Sequence, residues 1–155
     1  RVAPSEMPPT YELEALKDQA ARQEEKYLRL AAEYDNFRKR TAKEKEAIWN
    51  DAKADAALAF LPVYDNLERA LKQETADEAY KKGVEMTMNQ LKTVLEKLGI
   101  TEIEALGQPF DPTLHNAVMH IEDENFGENT VAEVFQAGFR LGDKVVRFAM
   151  VKVAN

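Results

Sequence analysis

The chain has two histidines, His115 and His120, and Asp111 stands four residues before the first of them in "FDPTLH". A carboxylate and an imidazole at that spacing can be written as an acid–base pair or as half of a metal site. A structural reading is stronger. Asp-Pro opens a turn or a helix N-terminus, Asp111 caps it, and His115 packs or bonds to backbone. The rest of the chain offers little chemistry: there is no Cys, no phosphate-binding glycine loop, no dinucleotide-type glycine pattern, no HExxH and no GxSxG. No enzyme activity, cofactor, metal or direct nucleotide binding is expected.

The other chemically suggestive stretch is "NFRKRTAKEK", Asn36 to Lys45. It packs five basic side chains between Arg38 and Lys45 into a chain of formal net charge -7. It has three readings. A DNA-binding basic region lies N-terminal to its zipper, but here the apolar positions Leu13, Leu16, Tyr27, Leu30 and Tyr34 come first, and Glu33, Asp35, Glu44 and Glu46 crowd the cluster. A solvated helix face with i,i+4 pairs is the second reading. A docking patch for an acidic protein surface, with Arg forks on carboxylates, is the third. Spacing leaves the last two open. The acidic whole, with a pI near 5.0, argues against a general binder of nucleic acid or anionic membrane. No apolar run reaches the roughly 18 residues of a membrane span, and a soluble, cytoplasmic protein is expected.

The elements that must carry these residues follow from composition. Residues 1–10, with three prolines, read as a disordered end. From Tyr11 to Leu61 there is neither Gly nor Pro, and Ala, Glu, Lys, Leu and Arg dominate, which predicts one long helix over 11–61. At about 1.5 Å per residue it would extend roughly 75 Å, too long for a compact chain whose radius of gyration would be about 15 Å, so it needs a partner. Steps of three and four from Leu13 give Leu13, Leu16, Ala20, Gln23, Tyr27, Leu30, Tyr34, Phe37, Thr41, Glu44 and Ile48, a mostly apolar coiled-coil seam. Past Ile48 the stripe drifts to Ala52, Ala56 and Ala59 or Phe60, which fits a near-straight pair. A parallel homodimer is expected.

Pro62 predicts a kink or a break. A short helix from Pro62 (Val63, Leu67, Ala70, Leu71) and a second one (Tyr80, Val84, Met88, Leu91, Leu95, Leu98), capped by Gly99, would make a dimeric four-helix bundle over 62–99. From 100 to 155 short β-branched runs alternate with turn signals, predicting a small antiparallel β domain that ends in a hairpin through Leu141-Gly142-Asp143-Lys144. Its acidic side chains outnumber Arg140, Lys144, Arg147 and Lys152, which makes it no surface for a phosphate backbone. The fold class is α+β.

Five blocks in order, "EYDNFRKRT", "FLPVYDNLERAL", "GVEMTMNQLKTVLEKLGI", "FDPTLHNAV" and "GFRLGDKVVRFAMVKVAN", resemble the GrpE family, nucleotide exchange factors (co-chaperones) of DnaK-type chaperones in the heat-shock response. The resemblance covers about 11–155. It implies a homodimer with a long paired helix, a four-helix bundle and a C-terminal β wing. It also implies binding to the chaperone's ATPase domain, opening of its nucleotide cleft and release of ADP. Arg38 and Arg40, Gly83, Phe110 and Pro112, and Phe135, Lys144, Arg147 and Val153 are the positions it suggests for partner binding. Leu16, Tyr27, Leu30, Tyr34, Phe37, Ile48, Leu67, Leu91 and Leu95 are expected at the dimer interface. Heat sensing by the long helix pair is expected from the weak seam positions Gln23, Thr41 and Glu44. A non-catalytic coiled-coil scaffold or a DNA-associated dimer is the competing reading.

Overall fold

The computed structural model describes residues 9–155, so the disordered end expected over 1–10 lies largely outside the described residues. Thr10–Leu71 forms α1 and Glu78–Lys97 forms α2. Six strands follow: β1 Ile100–Glu102, β2 His115–Ile121, β3 Thr130–Gln136, β4 Phe139–Leu141, β5 Lys144–Arg147 and β6 Ala149–Ala154. Of the described residues, those up to Ala47 form one unit and Ile48–Asn155 a second. The α+β class stands.

Helix α1 starts where Pro9 O accepts from Glu12 N and Leu13 N at 2.9 and 3.0 Å. It does not break at Pro62, so the separate short helix expected from that residue is absent: its residues are the last turns of α1. A proline inside a helix removes the N–H owed to the carbonyl four residues back and costs about 3 kcal/mol. Pro62 lies on the exposed side, where water can serve that carbonyl. Leu61 and Tyr64 on the other side are 1% and 2% exposed, and this packing holds the helix through the proline. The buried face runs Ala54, Ala57, Leu61, Tyr64. It is offset from the expected stripe, since Ala52, Ala56, Ala59 and Phe60 stay exposed.

In α2, Asp77 is the N-cap, its carboxylate accepting from Tyr80 N at 3.0 Å. Gly99 at φ +80° follows the last turn, the left-handed residue that glycine takes without steric cost. Met88 and Leu95 are buried against Ala57, Leu61, Tyr64, Ile100, Ala137 and Phe139. Of the faces expected to need a second copy, Met88 and Leu95 are covered by the chain's own strands through an ordinary hydrophobic core, while Val63, Tyr80 and Leu98 stay exposed in the single chain.

The strands make two three-stranded sheets, β1-β4-β5 and β2-β6-β3. The first is antiparallel, with β4 and β5 joined by the expected Gly142-Asp143 turn. The second corrects the all-antiparallel expectation, because β2 runs parallel to the central strand β6 while β3 runs antiparallel to it. The expected hairpin is present as β4–β5, but its second arm is divided: the run "KVVRFAMVKV" leaves the first sheet at Phe148 and continues as β6 in the second. Ala105, Val131, Ala149, Val151 and Val153 form the second core. The sheets meet closely at Gly138, where a Cβ would run into the Ala149 backbone.

Candidate functional site

In the first unit the basic cluster is a solvated face with much of its bonding capacity unused. Arg38 donates to Asp35 at 3.1 Å and Lys39 pairs with the same carboxylate at 3.0 Å. Arg40 reaches Glu44 at 3.8 Å, with its guanidinium 5.7 Å from the Phe37 ring centroid. Lys39 and Arg38 hold the Asp35 carboxyl below its ordinary range. The basic side chains remain about two-thirds exposed. Pairs this exposed are screened by solvent and contribute little to stability. The local pairing expected from Asp35 and Glu44 is present, and it leaves most of each guanidinium's five donors without a partner among the described residues. Leu16, Tyr27, Leu30, Tyr34 and Phe37 are each more than half exposed in the single chain.

In the second unit the FDPT block is a structural turn. Asp111 Oδ1 accepts from Thr113 N and Thr113 Oγ1 at 2.9 and 2.7 Å, and these bonds lower its carboxyl pKa. Asp111 N donates to His115 Nδ1 at 3.1 Å. His115 is 4% exposed, and burial lowers its pKa while Asp111 partly offsets the shift. Its Nε2 has no partner among the described residues. Neutral, buried and bonded to backbone, this ring is a core group. Phe110 packs on the second core and tilts over His115 at 5.9 Å, while Pro112 is exposed.

The remaining expected contacts separate by exposure. Gly83 is exposed on α2, and a side chain there would meet nothing in the described chain. Phe135 is 42% exposed, with Lys152 Nζ 5.5 Å from its ring centroid. Lys144 stands on the surface and pairs with Asp51. Val153, in contrast, is 2% exposed within the second core, so its side chain is not offered to a partner. Arg147 is turned inward. Its Nη1 and Nη2 donate to Asp65 Oδ2 and Oδ1 at 2.8 and 2.7 Å, and its Nε and Nη2 donate to Ala137 O. Of the expected dimer positions, Leu95 is buried in its own chain and Leu67 and Leu91 are half-buried there, while Ile48 is 67% exposed. Sequence reasoning missed Asp65, Asp51 and Gln136, the last donating to Asp65 Oδ2 at 3.2 Å. Their partners lie more than 70 residues away, and no local spacing announces such a pair.

The model of the GrpE family matches residues 4–155. The chain belongs to the GrpE family. A Protein GrpE from Clostridium acetobutylicum is 58% identical over 144 residues, covering 93% of this chain and 68% of the relative. That of Clostridium beijerinckii is 57% identical over 131 residues, 84% of this chain and 63% of the relative. That of Geobacillus stearothermophilus is 48% identical over 133 residues, 84% of this chain and 60% of the relative. The chain thus spans about two thirds of the length of these GrpE relatives. The GrpE match runs through both compact units, so the basic cluster, the exposed seam and the two-sheet domain all fall within one family pattern. No helix among the described residues is long and apolar enough to cross a membrane.

Proposed function

We propose that this GrpE-family chain is a cytoplasmic co-chaperone that binds the ATPase domain of a DnaK-type chaperone, opens its nucleotide cleft and promotes ADP release. The observation that carries the reading is the family match over residues 4–155. The surface chemistry supports it: exposed Arg38 and Arg40 with spare donors, an open flank at Gly83, and Phe110, Pro112, Phe135 and Lys144 on the two-sheet domain are contact candidates. The protein acts as a homodimer, paired in parallel through Leu16, Tyr27, Leu30, Tyr34, Phe37 and Ile48. The groove lined by Phe60, Leu91, Val94 and Leu98 extends that pairing.

The energetics require no catalytic group. An exchange factor must bind the open chaperone better than the closed, ADP-bound one, and linkage makes the effect reciprocal. Moving a two-state equilibrium from about 1:99 to about 99:1 takes roughly 5.5 kcal/mol of differential affinity. One exposed ion pair at about 1 kcal/mol cannot supply that, whereas several dispersed patches can. Heat sensing belongs to the same proposal. Between Thr10 and Ala47 no residue is buried in the single chain, so that segment is held by pairing and is released first on warming.

The reading is tested by size-exclusion chromatography of this protein with the nucleotide-free ATPase domain of a DnaK-type chaperone. A complex should elute together without nucleotide and separate when ADP is added. Co-elution that ADP leaves unchanged, or no co-elution at all, would remove the exchange reading.

A further inference from the structure

Arg147 lies between apolar residues at the end of the first sheet, and the structure spends its guanidinium inside the chain. We propose that the Asp65 carboxylate is a positioning group: by gathering Arg147 of β5 and Gln136 of β3, it locks both sheets onto residues 48–71 of α1 so that they and that part of the helix move as one body. This rests on the exchange reading, in which a contact on the sheets must be coupled to a contact on the helix.

The geometry is that of a junction. Both Asp65 oxygens are occupied by the Arg147 fork at 2.7 and 2.8 Å, and Oδ2 also accepts from Gln136 Nε2 at 3.2 Å. Arg147 Nη2 and Nε reach Ala137 O at 2.7 and 2.9 Å, where the chain passes from the second sheet into the first. The guanidinium lies 5.7 Å from the Phe139 ring centroid, and that ring meets Tyr64, the neighbour of Asp65, edge-on at 4.9 Å. Side-chain exposure is 13% for Arg147 and 22% for Asp65, against 43% and 60% for the surface pair Lys144 and Asp51. The surface pair adds a tether, while Asp65 is shielded and reads both sheets.

Adhesion alone does not need this arrangement. Leu61, Tyr64, Ile100 and Phe139 already bury the helix–sheet contact, but hydrophobic burial is non-directional and lets packed layers slide. A bidentate fork fixes both distance and angle. A shielded ion pair adds little net stability over an apolar replacement, so its effect here lies in orientation.

The test uses full-length Asp65→Asn, Arg147→Lys and Gln136→Ala. Asn keeps the shape without the charge, Lys keeps the charge without the fork, and Gln136→Ala removes only the tie to β3. For each folded variant, affinity for the chaperone's ATPase domain is measured with and without ADP, together with the maximal ADP-release rate at saturating protein. The expected result is a roughly tenfold fall in the ratio of the two affinities, with a lower maximal rate that added protein does not restore. Amide exchange at Ile103 N, which donates to Gly138 O, and along β4 and β5 should quicken in the isolated protein. A lowered melting temperature with an unchanged affinity ratio and maximal rate would reduce the pair to a structural one and overturn the proposal. If the wild type itself shows no exchange, the functional reading fails separately. The lock then stands on amide exchange, and protection unchanged in all three variants overturns it.

Discussion

At His115 the fold holds a neutral imidazole, because Nδ1 accepts the Asp111 N–H and the ring is sealed from solvent. Burial lowers the folded-state pKa below the ordinary 6.5. The unfolded chain therefore takes up a proton that the folded ring refuses, so the His115 contribution is complete above pH of about 6.5 and is lost as pH falls below it. Urea midpoints measured between about pH 7.5 and 5 should fall with acidification, and His115→Asn, whose amide oxygen can still accept from Asp111, should flatten the slope. Equal slopes would contradict the assignment. The role of this ring was legible in the sequence because its partner is four residues away and Asp-Pro marks a turn. Asp65–Arg147 was not legible: each charge alone looks like a solvated face, and only the folded chain brings the 82-residue separation to 2.7 Å.

Among the elements, local signals were reliable where the physics is local. Gly99 ending α2 and the Gly142-Asp143 turn stand where their residue types demand, and Asp77 caps α2 by the same local chemistry. Pro62 went the other way because Leu61 and Tyr64 are anchored on the opposite side of α1, and that packing outweighs the lost bond. Pro62→Ala restores the missing donor and should stabilise Ile48–Asn155 by about 1–3 kcal/mol, less the gain in unfolded-chain entropy, as read by denaturant midpoint. A loss of stability would mean that the proline fits a bend the helix needs. The parallel pairing of β2 with β6 was hidden, since strand composition names a strand without naming its neighbour or direction. For the helix segment before Ala47, calorimetry should show a reversible transition below that of the second unit. Replacing Gln23 and Glu44 by Leu should raise that lower transition alone. A single coincident transition for all parts would remove the heat-sensing proposal.

At the scale of the whole molecule, the acidic balance argued against a nucleic-acid role for the exposed basic cluster but left a solvated face and a protein-docking patch open, and the GrpE-family match is what turns the docking patch into the proposal. The structure redistributes the contact candidates: Val153 and Arg147 support the two-sheet domain from inside, while Arg38, Arg40, Gly83, Phe135 and Lys144 remain at the surface. The measurement that tests the central claim most directly is stopped-flow release of a fluorescent ADP analogue from a DnaK-type chaperone, with this protein and with its Arg38→Ala variant. Acceleration by the wild type is expected. The variant should need several-fold more protein for the same rate, in keeping with about 1–2 kcal/mol for charge-assisted bonds. A wild-type protein that leaves the release rate unchanged, folded and with a cognate chaperone, would contradict the account.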